Sequence, residues 1–127
     1  MRLNTEVFDV IVIGGGASGL MSACVAAKNG KRVLIIEKNK NLGEKLKITG
    51  GGRCNITNAQ FNIKEFLKIY GDDGKFLSSA FSKFSAKDTF EFFESRGLPL
   101  VTQARNRVFP KTDKAIDVYD VLYNSLV

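Results

Sequence analysis

The sequence predicts an α/β fold that opens on two parallel strands joined by a helix. Three observations carry this expectation. Two short apolar runs rich in β-branched residues, Val7–Ile13 (VFDVIVI) and Lys31–Glu37 (KRVLIIE), read as strands covered on both faces. Between them Ala17–Asn29 (ASGLMSACVAAKN) is a run of good helix formers, closed by Gly30 at the C′ position. The string GGGASG breaks the first strand and turns the chain sharply into that helix. A strand, a helix and a strand of these lengths make a βαβ unit with a right-handed crossover.

After Glu37 the polarity rises. "NKNLGEKLK" has room for one short helical turn, and a second glycine-rich string, "KITGGGRCNITN", follows at Lys47–Asn58. Leu77, Ala80, Phe81 and Phe84 recur at i, i+3, i+4 and i+7, the spacing of an amphipathic helix. Ser85–Gly97 reads as another helix, with Ser85 as N-cap, Asp88 at N3 and Gly97 as the stop. Asp at N3 in place of Glu or Gln makes a weak capping box. "PLVTQ" and "RVFP" read as two short strands around a turn at Ala104–Asn106. A last helix, capped by Thr112 or Asp113, runs to Val127. Phe66, Phe76, Phe81, Phe84, Phe90, Phe92 and Phe93 read as core or interface packing rather than as a stacking platform.

The 127 residues suit one domain, here taken as residues 1–127, and 44% of them are hydrophobic. The net charge of +6 suits an anionic ligand. The lysines are scattered with no dense basic stripe, so nucleic acid is not expected as a partner. The chain has no histidine, which excludes a Ser-His-Asp or Cys-His pair within it. Without histidine or a CxxC pair, a zinc site is not expected either. Cys24 and Cys54 are too far apart in sequence to suggest a disulfide framework, and a reducing cytoplasm is the expected setting. Val7–Ala27 is mostly apolar, but Asp9 and four glycines interrupt it, so neither a membrane span nor a targeting segment is expected.

Gly14, Gly16 and Gly19 spell G-x-G-x-x-G between the expected strand and helix. Each has a physical task in dinucleotide binding. Gly14 permits the tight turn, Gly16 lets a pyrophosphate approach the backbone, and Gly19 lets the helix pack close to the strands. The N–H groups of Ala17 and Ser18 then face the ligand at the positive end of the helix. Glu37 ends the second strand, where a carboxylate can accept hydrogen bonds from an adenosine ribose and repel a 2′-phosphate. Lys38 beside it weakens that discrimination. With strand, helix and acid all in place the motif is specific, and it fits FAD or NAD without choosing between them.

In the second string, Gly50, Gly51 and Gly52 allow positive φ or close approach to a flat ligand. Arg53 can neutralise phosphate or bond a flavin carbonyl. Asn55 and Asn58 can stabilise the turn or meet a ring edge. A self-bonded loop remains the alternative. Flavin disulfide reductases place a second cysteine where this chain has Ala59, so Cys54 has no dithiol partner. It reads as a small residue in a crowded loop or as a thiol near a flavin.

"DVIVIGGGASGLMSA", "EKNKNLGEKLKITGGGRCNITN" and "RNRVFPKTDKAIDVYDVL", in that order, resemble the bacterial BaiN/YhiN-like flavoproteins, which are NAD(P)/FAD-dependent oxidoreductases of the aminoacetone-oxidase type. The likeness covers most of Asp9–Leu122 and is loosest over Phe61–Thr102. It implies a Rossmann-like FAD-binding domain with a glutathione-reductase-type βαβ start, incomplete at its C-terminus. By that likeness Gly14 to Gly19 hold the FAD pyrophosphate, and Glu37 and Lys38 flank the adenosine end. Lys45 with Gly52, Arg53, Cys54 and Asn55 lies toward the ribityl and flavin portion. Family members are much longer, so the chain is expected to be an N-terminal fragment, inactive alone and prone to self-association through exposed apolar surface. The later substrate domain and the returning FAD segment are then absent.

The expected function is the FAD-binding portion of a flavoprotein oxidoreductase, with NAD(P)H or a small organic molecule exchanging hydride or electrons. No catalytic acid or base is assigned. The alternatives are an NAD-dependent Rossmann dehydrogenase and a nucleotide-binding module without turnover.

Overall fold

The computed structural model describes residues 6–126. Its elements are β1 (Val10–Ile13), α1 (Ala17–Lys28), β2 (Val33–Ile36), α2 (Glu44–Gly52), β3 (Thr57–Asn58) and α3 (Ile63–Lys68), then a 3-10 turn at Gly71–Asp73 and α4 (Gly74–Lys83). After these come α5 (Ala86–Glu94), β4 (Leu100–Gln103), a 3-10 turn at Ala104–Asn106, β5 (Arg107–Pro110) and α6 (Ala115–Asn124).

β1 and β2 pair in parallel, from Val10 opposite Val33 to Ile13 opposite Ile36. With α1 they form the expected Rossmann-like βαβ start. Both strands are shorter than the apolar runs. At the entry the Asp9 carboxylate accepts the Arg32 N–H at 2.8 Å, and the Asp9 N–H donates to the Arg32 carbonyl at 2.9 Å. Exposure alternates along β1, the pattern of a sheet with one covered face. Ile11, Ile13 and Ile36 are 58%, 85% and 50% exposed. The expectation of strands covered on both faces is thus corrected: among the described residues only the α1 side carries a packed layer.

β3, β5 and β4 make a second, antiparallel sheet in that order. The β4–β5 hairpin matches the expectation from PLVTQ and RVFP, and its turn puts Arg105 and Asn106 at φ +62° and +57°. β3 was not foreseen, because two residues cannot show alternation. α2 keeps a helical course only from Glu44 to Ile48, close to the single turn expected, before Thr49, Gly50 and Gly51 leave it. α3 was also unforeseen. Asn62 caps it, accepting the Lys64 and Glu65 amides at 3.0 and 3.2 Å.

α5 starts at Ser85 with a reciprocal capping box: the Ser85 N–H donates to Asp88 Oδ2 at 2.7 Å and the Asp88 N–H to Ser85 Oγ at 3.4 Å. Asp therefore serves at N3 despite its shorter reach. The N-cap of α6 is Lys114, without a side-chain cap, instead of Thr112 or Asp113. Asp113 takes φ +59° and spends its carboxylate elsewhere. The expected end of this helix at Val127 lies outside the described residues.

The core joins Leu20 and Cys24 of α1, Leu46 of α2, Phe93 of α5, Val108 of β5, and Val118 and Leu122 of α6. Phe66 and Phe93 are buried as expected, and Phe66 meets Phe81 edge-on at 4.8 Å. Phe76 departs from the core reading at 86% exposure, since it falls off the Leu77–Phe81 stripe of α4. Phe84 is also exposed.

Candidate functional site

The first glycine loop begins where the parallel ladder ends. The Gly14 N–H donates to the Ile36 carbonyl at 2.7 Å, and Gly14 turns the chain at φ +95°. Gly15 is then held from two sides. Its N–H donates to Glu37 Oε2 at 2.6 Å, and its carbonyl accepts the Gly43 N–H at 2.8 Å. The end of β2 and the start of α2 thereby fix one peptide of the loop. Gly16 is the N-cap residue of α1, with no side-chain cap and no acidic residue in the first turn. The first amides of any helix lack intrahelical partners, and this end carries partial positive charge.

Two glycines of the motif answer different demands. A Cβ at Gly19 would collide with the Gly14 carbonyl and stand 3.3 Å from Val12 Cγ1, so packing alone requires glycine there. A Cβ at Gly16 would meet no protein atom within 4 Å. The space over Gly16 is open.

That space belongs to a cleft of about 410 Å³ lined by Gly14, Gly15, Gly16, Glu37, Lys38 and Lys45, among others. Glu37 Oε1 accepts the Asn39 N–H at 2.9 Å. The Asn39 amide first, then the Gly15 amide, hold the Glu37 carboxyl below its ordinary value of 4.5, so it stays charged at neutral pH. Two amide bonds occupy about half of the roughly four acceptor positions of a carboxylate. Glu37 can still accept from a ligand while it pins the loop.

In the second string α2 loses its helical course at Thr49, with ψ 146°, and Gly50, Gly51 and Gly52 follow at φ +57°, +67° and +85°. The Cys54 N–H closes this bend on the Thr49 carbonyl at 3.1 Å. Cys54 itself takes φ +60° and is 5% exposed. Burial pushes its thiol pKa up, against a smaller opposing effect of Thr49.

Arg53 reaches away from the first loop. Its Nε donates to Asp113 Oδ1 and Oδ2 at 2.7 and 2.8 Å, and its Nη2 to Gln103 Oε1 at 3.1 Å. The guanidinium lies 4.4 Å over the Phe109 ring. Asn55 Oδ1 accepts the Val108 N–H at 3.2 Å, and the Ile56 N–H donates to the Val108 carbonyl at 2.8 Å. The GGGRCN string is therefore bonded to the RVFPKTD string. Cys54, Asn55 and Thr49 share a second cleft, about 340 Å³ and mainly apolar, with Ala17 at the start of α1 and with Leu46 and Phe93.

The expected site residues thus divide into two neighbouring clefts on either side of the α1 N-terminus. Gly14, Gly16, Glu37, Lys38 and Lys45 line one; Ala17, Cys54 and Asn55 line the other. Lys45 sides with Glu37, not with the second string. Ser18, Gly19, Gly52 and Arg53 line neither. Sequence reasoning passed over Gly15, Gly43 and Gln103, and gave Asp113 only the role of a helix cap. Gly43 has a steric reason, since a Cβ there would run into the Tyr119 ring. Its one legible mark was a glycine just ahead of a helical stretch.

The HI0933-like protein Rossmann domain matches residues 8–127 of the chain. The chain is 37% identical over 114 residues to a 3-dehydro-bile acid delta(4,6)-reductase of Clostridium scindens, covering 87% of this chain and 27% of that protein. It is 32% identical over 117 residues to a ribosomal RNA dihydrouridine synthase of Escherichia coli, covering 92% of this chain and 28% of that protein. A digeranylgeranylglycerophospholipid reductase of Methanocaldococcus jannaschii shares 46% identity over 44 residues, 35% of this chain and 11% of that protein. The chain spans about a quarter of the length of the first two relatives. With a Rossmann-like βαβ start, both glycine strings in place and the family model matched from Phe8 to the last residue, the chain belongs to the HI0933-like Rossmann-domain family, the BaiN/YhiN-type family that its strings resemble.

Proposed function

We propose that the chain forms the FAD-binding part of a flavoprotein oxidoreductase. The observation that carries the reading is the open space over Gly16, at an uncapped helix N-terminus beside the charged Glu37. The residues present fit a dinucleotide there. Glycine backbone without side chains flanks the cleft, amides of the first helical turn are unspent, and a carboxylate with spare acceptor positions stands at the strand end.

Bound FAD supplies the electron and hydride transfer. The chain's own residues bind and orient it. Gly14 and Gly16 admit the pyrophosphate, and the Ala17 and Ser18 amides donate to it at the positive helix end. Gly19 keeps that helix end close to β1. Glu37 accepts from the adenosine ribose, and Lys38 and Lys45 bring positive charge to the rim of the same cleft. The second cleft, with Cys54 and Asn55 on its wall and an apolar floor, suits the flat ring end of the cofactor. Gly52 and Arg53 shape that wall. Cys54 stays a neutral neighbour.

The relatives' names speak of reductases and of dihydrouridine, which supports hydrogen addition to an unsaturated substrate; NAD(P)H is the donor of the proposal. Among the described residues no helix is long and apolar enough to cross a membrane. A cytoplasmic setting belongs to the same proposal, and the two free cysteines support it.

The test is titration of the purified protein with FAD and with NAD, followed by flavin absorbance and fluorescence. Retained or saturable FAD supports the reading. Binding of NAD with refusal of FAD overturns it in favour of a dehydrogenase. Flavin reduction by NAD(P)H in the natural protein then separates an enzyme from a binding module.

A further inference from the structure

We infer that Asp113 is a positioning residue of the second glycine loop, acting through Arg53 to fix the backbone course of Gly50–Gly52 and the wall formed by Cys54 and Asn55. The inference rests on the FAD reading for its functional meaning. Its structural basis is separate.

The loop has little to hold it from within. Around Gly51 and Gly52 a Cβ would meet nothing within 4 Å, and the bend is closed at a single acceptor, the Thr49 carbonyl, which takes the Arg53 and Cys54 N–H groups. Successive glycines at positive φ have many alternative courses. The residue that follows them is, by contrast, fixed at three places. Arg53 bonds both carboxylate oxygens of Asp113, bonds Gln103, and sits over the Phe109 ring. Asp113 is itself set, at φ +59° with its N–H on the Pro110 carbonyl at 2.9 Å. The turn between β5 and α6 therefore helps set where the glycine loop ends, together with the Val108 bonds to Asn55 and Ile56.

The energetics favour a positioning role over a stabilising one. The Arg53 and Asp113 side chains are 37% and 51% exposed, and ion pairs so open to water add little to global stability. A charge-assisted pair with fixed geometry still selects one arrangement of the groups it joins. Removing Asp113 should leave the fold intact and let the loop wander.

The experiment uses the natural protein, free of FAD and loaded with it, and compares wild type with D113A, D113E, R53A and the R53A/D113A double variant. D113A is expected to raise the FAD dissociation constant roughly threefold to tenfold. The FAD-free melting temperature should stay within about 2 °C of wild type. D113E should recover part of the affinity, and the double variant should bind no worse than R53A, since both act through one contact. In the FAD-free protein the amide NMR signals of Gly51 and Gly52 should shift or broaden in D113A. Unchanged FAD affinity in D113A, additive losses in the double variant, or unmoved glycine amides overturn the inference. If the wild type refuses FAD, the functional reading fails by itself and the glycine amides still decide the positioning role.

Discussion

The Gly15 amide donates to Glu37 Oε2 at 2.6 Å, so the acid at the end of β2 braces the glycine loop it follows in space. The same carboxylate has a second amide partner in Asn39. An acid expected only to meet a ribose is therefore also part of the loop's frame. Its replacement should act on the loop's shape and on ligand affinity together.

Glu37→Gln keeps the size of the side chain but removes its charge and half of its acceptor capacity. FAD affinity is expected to fall roughly tenfold, the loss of one charge-assisted hydrogen bond. Fluorescence quenching of FAD measures it, and an unchanged dissociation constant would remove Glu37 from the site.

The charge state of Glu37 also predicts an acid limb. Its folded pKa lies below the ordinary 4.5, through the Asn39 and Gly15 amides, so its contribution to stability is present above 4.5 and fades as pH falls through the folded value. Asp88, lowered by the Ser85 hydroxyl and amide, behaves in the same sense below its ordinary 3.8. Thermal melts of wild type and Glu37→Gln across this range should converge at low pH. A gap that persists there would place the effect outside ionisation.

Both thiols are shut in. Cys24 is 4% exposed with its Sγ on the Leu122 carbonyl at 3.1 Å, and Cys54 is 5% exposed. Burial raises both thiol pKa values above the ordinary 9.0. Native protein at neutral pH should resist a thiol-alkylating reagent, while denatured protein labels at both positions. The stability gained from neutral burial is present below 9.0 and is lost as pH climbs through the raised folded values. Rapid native labelling at Cys54 would restore the reactive-thiol reading.

The βαβ start was legible because each element carried a strong local pattern and the glycines fell between elements. The β4–β5 hairpin and the Ser85 cap were legible for the same reason. Arg53 was not. Its sequence neighbours suggested a ligand, and only the fold brings Asp113, sixty positions on, against its Nε. The second face of β1 was misjudged because an apolar run records what a strand can bury, not what lies over it. Phe76 shows the same limit, being apolar by composition and exposed by helical angle. Gly43 could not be ranked above other glycines until Tyr119 was found packed on it.

The central claim is tested most directly by comparing Gly16→Ala with Gly19→Ala in FAD binding and in melting without FAD. Gly16 takes φ −78° and has open space around it, so alanine there should leave stability within about 0.5 kcal/mol. Its methyl group would stand where the pyrophosphate is proposed to lie, and FAD binding should be lost. Gly19→Ala should instead destabilise the FAD-free protein by about 1–3 kcal/mol, because its methyl group meets the Gly14 carbonyl. Wild-type FAD affinity in a stably folded Gly16→Ala protein would contradict the account.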